Sequence, residues 1–485
     1  MKSLFLLTLL SPFAALAAST STTVNNVAPD MGTLYRELYG KVEPRLQDGD
    51  YLGAVDVCRG YVEKQRDADL IGFLLDVQAS FIAATGDYEK ALVSMTRSVN
   101  LNGRAQDLRR YDDSAWAAAR REIKWREPAD VLREAAKTHD VIMISEAHHV
   151  PETRALGREL LPVLRGLGFE YLAMETLYQP IPDSPARVAM STAPGAAAGF
   201  YFLEPQAAGL ARDALKLGFK LVAYEDETFG GDREKIEAQN LYDRVLKGKP
   251  GAKVVVWAGY GHVYKRVSRS KFKAMAAWLW ELTGREPFTL FQVFDGLDPH
   301  FADAPFYKPL VLDAPGRPRR PLVVMNQPGL YPALDKIKDS GMDRDAAGAP
   351  IVDGYIVHPP FERHAPGRLR PAWVKGAGRR ELSGSMPAPP DLLMLVQAFP
   401  AAEGTRATPA DQMIVEPDGR FELWVPEGSY LLRVRGRHGE ILAEGKSVVG
   451  SAGAKVAYFA GPSTGTASSG DSKAINRMQG AALAQ

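Results

Sequence analysis

The sequence predicts an α/β protein: a mostly parallel sheet flanked by helices, with an N-terminal α-helical repeat module and a C-terminal all-β sandwich. Three observations carry that prediction. Between residues 128 and 294, short apolar runs alternate with helical periods across glycine turns at Gly166, Gly168, Gly218 and Gly251, the pattern of βαβ units. From Leu34 to Asn100 the apolar spacing is helical and contains an internal echo. Past Pro371 short alternating strands are separated by turn signals such as Pro417-Asp418-Gly419 and Pro426-Glu427-Gly428.

Bulk properties narrow the setting. A chain of 485 residues suggests two to four domains, and 46% hydrophobic residues supply ample core. A formal net charge of +1 excludes bulk electrostatic attraction to nucleic acid or to an acidic membrane. The single cysteine, Cys58, excludes an internal disulfide framework and a thiolate metal cluster. Lys2, the apolar stretch Leu4–Leu10 and the small residues Ala15-Leu16-Ala17 read as a signal peptide over 1–17. No cysteine follows that site, which argues against a lipid anchor, and no later run approaches the roughly 18 apolar residues of a membrane span. The expected mature protein is secreted and not membrane-spanning; in a Gram-negative bacterium it is periplasmic.

Residues 18–30 read as a disordered start. Over 31–110, Gly49-Asp50-Tyr51 returns as Gly86-Asp87-Tyr88 after 37 residues. Each copy places an Asp at a helix start, and a following Ala permits close packing. Two copies are too few for a free-standing solenoid, so a helical module resting on the next domain is expected. It offers a protein-partner platform or a structural cap. Residues 101–127, with Trp116 and Trp125, read as a helical connector. The α/β domain follows over 125–365. Its expected helices are 128–137, 151–166, 203–217, 233–247 and 270–283. Its expected strands are 140–145, 169–175, 219–225, 253–258 and 288–294, then 322–325 and 354–357. A long loop is expected over 176–200. The sandwich, 380–460, takes strands at 392–399, 420–425, 429–435, 440–444 and 455–459; 461–485 is a flexible tail.

Four apolar strand patterns end on an acid or an imidazole. Val141–Ile144 runs into Ser145-Glu146-Ala147-His148-His149, and Tyr171–Met174 into Glu175. Lys220–Tyr224 runs into Glu225, and Val254–Ala258 into Gly259-Tyr260-Gly261-His262. In an open α/β sheet the carboxyl edge is where ligands bind. Carboxylate with imidazole can hold a proton, position a water or ligate a divalent ion. Glu146, His148, His149, Glu175 and His262 are therefore the candidate catalytic residues. Strand alternation leaves open which of His148 and His149 faces the cleft. Glu225, Tyr260 and Tyr178 are candidate ligand-binding residues, with Glu225 also readable as part of a solvated acidic turn. His148, Glu175 and His262 are candidate metal ligands. His300, His358 and His364 lie in expected loops and read as structural.

These motifs resemble the erythromycin esterase-like and ChaN-like haem-binding superfamily, with its Tiki and TraB-type members, over roughly 125–360. In esterase-like members a Gly-Glu-x-x-His turn activates water, which implies Glu146 and His149, with Glu175 and His262 as partners. ChaN-like and Tiki-like members carry a histidine two places after the glutamate, matching His148, and a Gly-x-Gly-His loop, matching Gly259–His262. Ser145 departs from the family, which has glycine there. The helical echo resembles tetratricopeptide pairs, whose period is about 34, and residues 417–430 resemble carboxypeptidase-regulatory-like modules.

Three functions follow as expectations. The first is an exported hydrolase acting on a small-molecule or peptide substrate, its Glu/His site activating water, with or without a divalent metal. The second is capture of haem or another iron complex, with Tyr178, Tyr201, Tyr260 and His262 as candidate ligands. The third is a non-catalytic interaction scaffold.

Overall fold

The computed structural model describes residues 31–101, 123–177, 199–225, 232–268, 271–294, 319–326, 345–361, 369–376, 378–386 and 392–456. The expected signal peptide and the C-terminal tail fall outside these residues. So do Trp116, Tyr178, His300 and His364, and most of the expected loop over 176–200.

An eight-stranded sheet organises the middle of the chain. Its strands are β1 (Trp125–Arg126), β2 (Val141–Glu146), β3 (Tyr171–Met174), β4 (Lys220–Val222), β5 (Val254–Gly259), β6 (Phe288–Val293), β7 (Leu322–Met325) and β8 (Gly354–Val357). The order is β1-β7-β8-β6-β2-β5-β3-β4, with every pair from β8 to β4 parallel and the β1–β7 and β7–β8 pairs antiparallel. The chain passes from β2 over to β3 and β4, then returns to place β5 between β2 and β3. β6 is then added on the far side of β2, so the direction of winding reverses beside β2. Such a reversal opens a crevice at the carboxyl ends of the strands.

Side-chain alternation sends the central strands into two cores. Met143, Val254 and Val256 join Ala238, Leu241, Met275 and Leu279 on one face. Ile142, Ile144, Val255 and Trp257 join Leu156, Leu160, Leu164, Leu210 and Ala214 on the other. Strands buried on both sides read as continuous apolar runs, as these do. The helices that cover them are α5 (Pro128–Ala135), α6 (Pro151–Gly166) and α7 (Pro205–Lys216) on the Trp257 face, and α8 (Arg233–Leu241) and α9 (Met275–Thr283) on the other. At Gly157 a side chain would lie 2.9 Å from the Trp257 ring, so glycine lets α6 settle on β5.

Several expected boundaries move. The 219–225 strand pairs only to Val222, which leaves Glu225 beyond the ladder. The 233–247 helix is α-helical to Leu241 and closes in a π turn over Tyr242–Leu246. The 270–283 helix begins at Met275, whose N–H donates to the Glu234 carboxylate at 2.7 Å instead of to a preceding turn.

The amino-terminal segment forms α1 (Met31–Gln47), α2 (Tyr51–Lys64), α3 (Ala68–Ala84) and α4 (Tyr88–Leu101). Both Gly-Asp-Tyr copies work alike. Gly49 and Gly86 take left-handed backbone at φ 81° and 82°. Asp50 accepts from Gly53 N at 2.9 Å and Asp87 from Lys90 N at 3.2 Å, while Tyr51 and Tyr88 are buried.

The carboxyl-terminal segment holds two further sheets. One is antiparallel: β11 (Asp411–Ile414), β10 (Met394–Pro400), β13 (Gly428–Gly436) and β14 (Ile441–Val449). The other places β9 (Arg380–Ser385) between antiparallel β12 (Arg420–Val425) and parallel β15 (Ala454–Val456). Leu382, Phe421 and Leu423 from one sheet share a core with Val396, Leu432 and Val434 from the other. β9 and β11 were not expected from sequence, and β14 runs on past residue 444.

The helical segment rests on both neighbours. Tyr51 donates its hydroxyl to Leu203 O at 2.8 Å, and Gln412 donates to Ala84 O at 2.6 Å. Arg370 ties Asp411 at 2.6 Å to Tyr88 at 3.2 Å. Among the described residues no helix is long and apolar enough to cross a membrane.

Candidate functional site

β2 ends on Glu146. Pairing of β2 with β6 stops at Ile144 and Leu290, and Ser145 continues it by other means. Its hydroxyl accepts from Gln292 N at 2.8 Å and its carbonyl accepts from the Gln292 amide. A glycine there would lose the first of these bonds.

The Glu146 carboxylate is buried and gripped by Arg154 of α6 through two bonds, Nε to Oε2 at 3.0 Å and Nη2 to Oε1 at 2.7 Å. Paired donors of this kind fix the carboxylate plane. Arg154 also reaches Glu204 at 3.3 Å. Glu204 in turn accepts from Gln206 N and Ala207 N at 2.8 and 2.9 Å, capping α7. Burial alone would raise the Glu146 pKa, but Arg154 and His148 hold it below the ordinary value. It is therefore an acceptor, and His148 Nδ1 lies 3.1 Å away, within hydrogen-bond reach. The His148 ring stacks on Tyr201 with centroids 3.8 Å apart. Its Nε2 lies 3.8 Å from Glu175 Oε2, and its side chain is 20% exposed.

Glu175 leaves β3. Its Oε2 accepts from Gly259 N, and its Oε1 faces Arg233 Nη2 at 3.1 Å and His262 Nε2 at 3.6 Å. A side chain at Gly259 would lie 2.9 Å from both Glu175 Oε2 and His148 Nε2, so only glycine leaves room for both. The next residue, Thr176, has φ 60°, unusual for a β-branched residue, and its N–H donates to Glu225 Oε1 at 2.8 Å. Strained backbone held in this way is common at functional sites. Burial opposes ionisation of Glu175, but His262, His148 and Arg233 together hold its pKa well below the ordinary value.

Arg233 opens α8 and meets Glu175, Glu225 at 3.2 Å and Glu237 at 2.6 Å. His262, in the turn after β5, points Nδ1 at Glu234 (3.0 Å) and at Glu237 (3.3 Å). Burial would depress its pKa, but Glu234, Glu237 and Glu175 raise it well above the ordinary imidazole value. Burial lifts the Glu237 pKa well above the usual carboxylate range, and Glu225 and Glu234 add to the rise against Arg233 and His262. Glu234 is held low, its burial outweighed first by His262.

The structure thus brings Glu146, His148, Glu175, Glu225 and His262 into one continuous network at the carboxyl edge of β2, β5, β3 and β4. It does not bring in His149. That ring is buried edge-on against Phe294, centroids 5.5 Å apart, and its Nε2 meets no hydrogen-bond partner. Burial pushes its pKa down to about 3, so it is neutral at neutral pH. Tyr260 stacks on Phe291 and Phe294, while Tyr178 lies outside the described residues. His358 is buried and paired with Gln292 at 2.7 Å. Sequence reading missed Arg154, Glu204, Arg233, Glu234 and Glu237. The one available signal was Arg233-Glu234-x-x-Glu237, whose spacing sets Glu237 beside both Arg233 (i, i+4) and Glu234 (i, i+3) on a helix.

No family model matches the chain, and no curated protein matches it. Among solved structures, a type III effector, HopBA1, is 14% identical and aligns over 49% of this chain and 97% of its own, with a TM-score of 0.28. A structure described as bacterial protein toxins is 10% identical over 56% of this chain and 68% of its own, with a TM-score of 0.27. Likeness at that level transfers neither fold nor function.

Proposed function

We propose that this chain is an exported hydrolase of the erythromycin esterase-like and ChaN-like group, with His148 as its general base. The observation that carries this reading is the state of one ring. His148 is partly open to solvent while its Nδ1 is held by Glu146, itself clamped by Arg154. That arrangement orients the ring with Nε2 3.8 Å from Glu175 Oε2, and in the neutral ring that nitrogen is the acceptor for a proton of water. Nε2 takes a proton from water as the water oxygen attacks an acyl carbon, then returns it to the departing alkoxide. Arg233, also 20% exposed and on the other oxygen of Glu175, would stabilise the negative charge that develops on the acyl oxygen.

The test is hydrolysis of a panel of chromogenic esters and lactones by the purified chain. Glu146→Gln should lower kcat by roughly a hundredfold by removing the acceptor that orients His148. No turnover of any ester, lactone or peptide, or turnover untouched by this change, would overturn the reading.

The helical segment fits a tetratricopeptide-like module, and the paired smaller sheets fit a β-sandwich of the carboxypeptidase-regulatory-like type. Their polar contacts to the α/β unit support a buttressing role, with exposed helix surface left for a protein partner. Haem capture has less in its favour, since the His262 side chain is only 1% exposed, where the face of a haem does not reach it. A Soret band that shifts on His262→Ala would restore it.

A further inference from the structure

We infer that Glu234, Glu237 and His262 form a binding site for one first-row divalent cation, with Mn²⁺ and Zn²⁺ as the fitting ions. The site is built from two elements. Glu234 and Glu237 stand three residues apart on α8, which places them on one face of that helix. His262 arrives from the turn after β5, and one ligand atom from each of the three residues lies within 4.8 Å of the others. The His262 Nδ1 separations of 3.0 and 3.3 Å from the two carboxylates match an ion's coordination edge. With metal–ligand bonds of about 2.1 Å, neighbouring donors sit about 3.0–3.4 Å apart.

Three independent features point to a cation site and not to a merely acidic patch. First, charge does not balance among the described residues. Glu175, Glu225, Glu234 and Glu237 face one guanidinium, Arg233, and two imidazoles, His262 and, 3.8 Å from Glu175, His148. An excess of carboxylate in a closed interior is costly without a cation. Second, Glu237 is fully buried, yet neither of its oxygens makes a hydrogen bond. Its Oε1 lies against Arg233 Nε at 2.6 Å, close but without hydrogen-bond geometry, and its Oε2 is turned toward His262. Third, the outer contacts suit ligation. Met275 N–H holds Glu234, and Glu175 faces His262 Nε2 at 3.6 Å, the side away from the proposed ion. A carboxylate behind a histidine ligand fixes the ring so that its other nitrogen presents a lone pair. Two carboxylates and one imidazole suit Mn²⁺ or Zn²⁺ better than the all-oxygen sites of Ca²⁺.

The inference is independent of the hydrolase reading, because binding is measured without any substrate. The full chain, stripped with chelator, is titrated with Mn²⁺ and with Zn²⁺ by calorimetry, and its Tm is followed with and without each ion. One ion per chain should bind and raise Tm, since the ion binds the folded state. Glu237→Gln and Glu234→Gln should each weaken binding by at least about tenfold, while His148→Ala leaves it unchanged. The Tm rise of the unaltered chain needs no variant and so survives any folding defect in them. No binding and no Tm rise at millimolar ion would overturn the inference, as would binding that both glutamine variants leave intact.

Discussion

The two sides of the carboxyl edge are built from the same residue types and are balanced differently. Beside β2, Glu146 and Glu204 are matched by Arg154, and His148 adds a proton donor. Every carboxylate there has a strong partner, so the side is a rigid frame around the His148 ring. Beside β3, β4 and β5, Glu175, Glu225, Glu234 and Glu237 share Arg233 and His262. The comparison teaches that a saturated network fixes a geometry, while an unsaturated one keeps buried charge that a bound cation would balance.

The sharpest way to break the balanced side is Arg154→Met, which strands two buried carboxylates. It should cost about 3–5 kcal/mol, read as a fall in the denaturant midpoint. An unchanged midpoint would mean that the frame is decorative. A smaller loss, about 1–3 kcal/mol, is expected for Gly259→Ala, because its methyl group meets the two groups that join the sides. Retained stability and activity there would argue that Glu175 and His148 have more freedom than their distances imply.

His149 supplies a control through pH. Its folded pKa of about 3 lies below the free imidazole value near 6.5. Between those values the unfolded chain binds a proton that the folded chain does not, so acidification favours unfolding. That contribution is absent well above pH 6.5, grows as pH falls, and levels off near pH 3. His149→Phe should flatten this part of the stability–pH curve; an unaltered slope would show that the ring titrates normally. The smallest effect is expected far from the edge, where Asp50→Ala removes an N-cap and should cost about 1 kcal/mol in thermal stability.

Much of this architecture was legible in the sequence because it rests on local pattern. The apolar strands at 141–146 and 254–259 and the glycine turns between helices and strands carry the parallel sheet. Abrupt endings on Glu146, Glu175, Glu225 and His262 marked the edge before any geometry was known. The balance of charge was not legible. Arg154 and Arg233 carry no sequence signal of their own, and only folding shows Arg154 buried and Arg233 partly buried against glutamates. Nor could pattern choose between His148 and His149, since the strand ends at Glu146 and alternation no longer applies beyond it. The short strands β9 and β11 escaped because Arg380–Ser385 is mostly polar and Asp411 is buried by pairing with Arg370.

Those adjacent histidines provide the most direct test of the account. Hydrolysis by His148→Ala and by His149→Ala, compared side by side on the same ester, asks which ring the folded chain has placed at the water. The account predicts a loss of roughly a thousandfold in kcat for His148→Ala, within the range of general-base catalysis, and near-normal kcat for folded His149→Ala. The reverse pattern would contradict it.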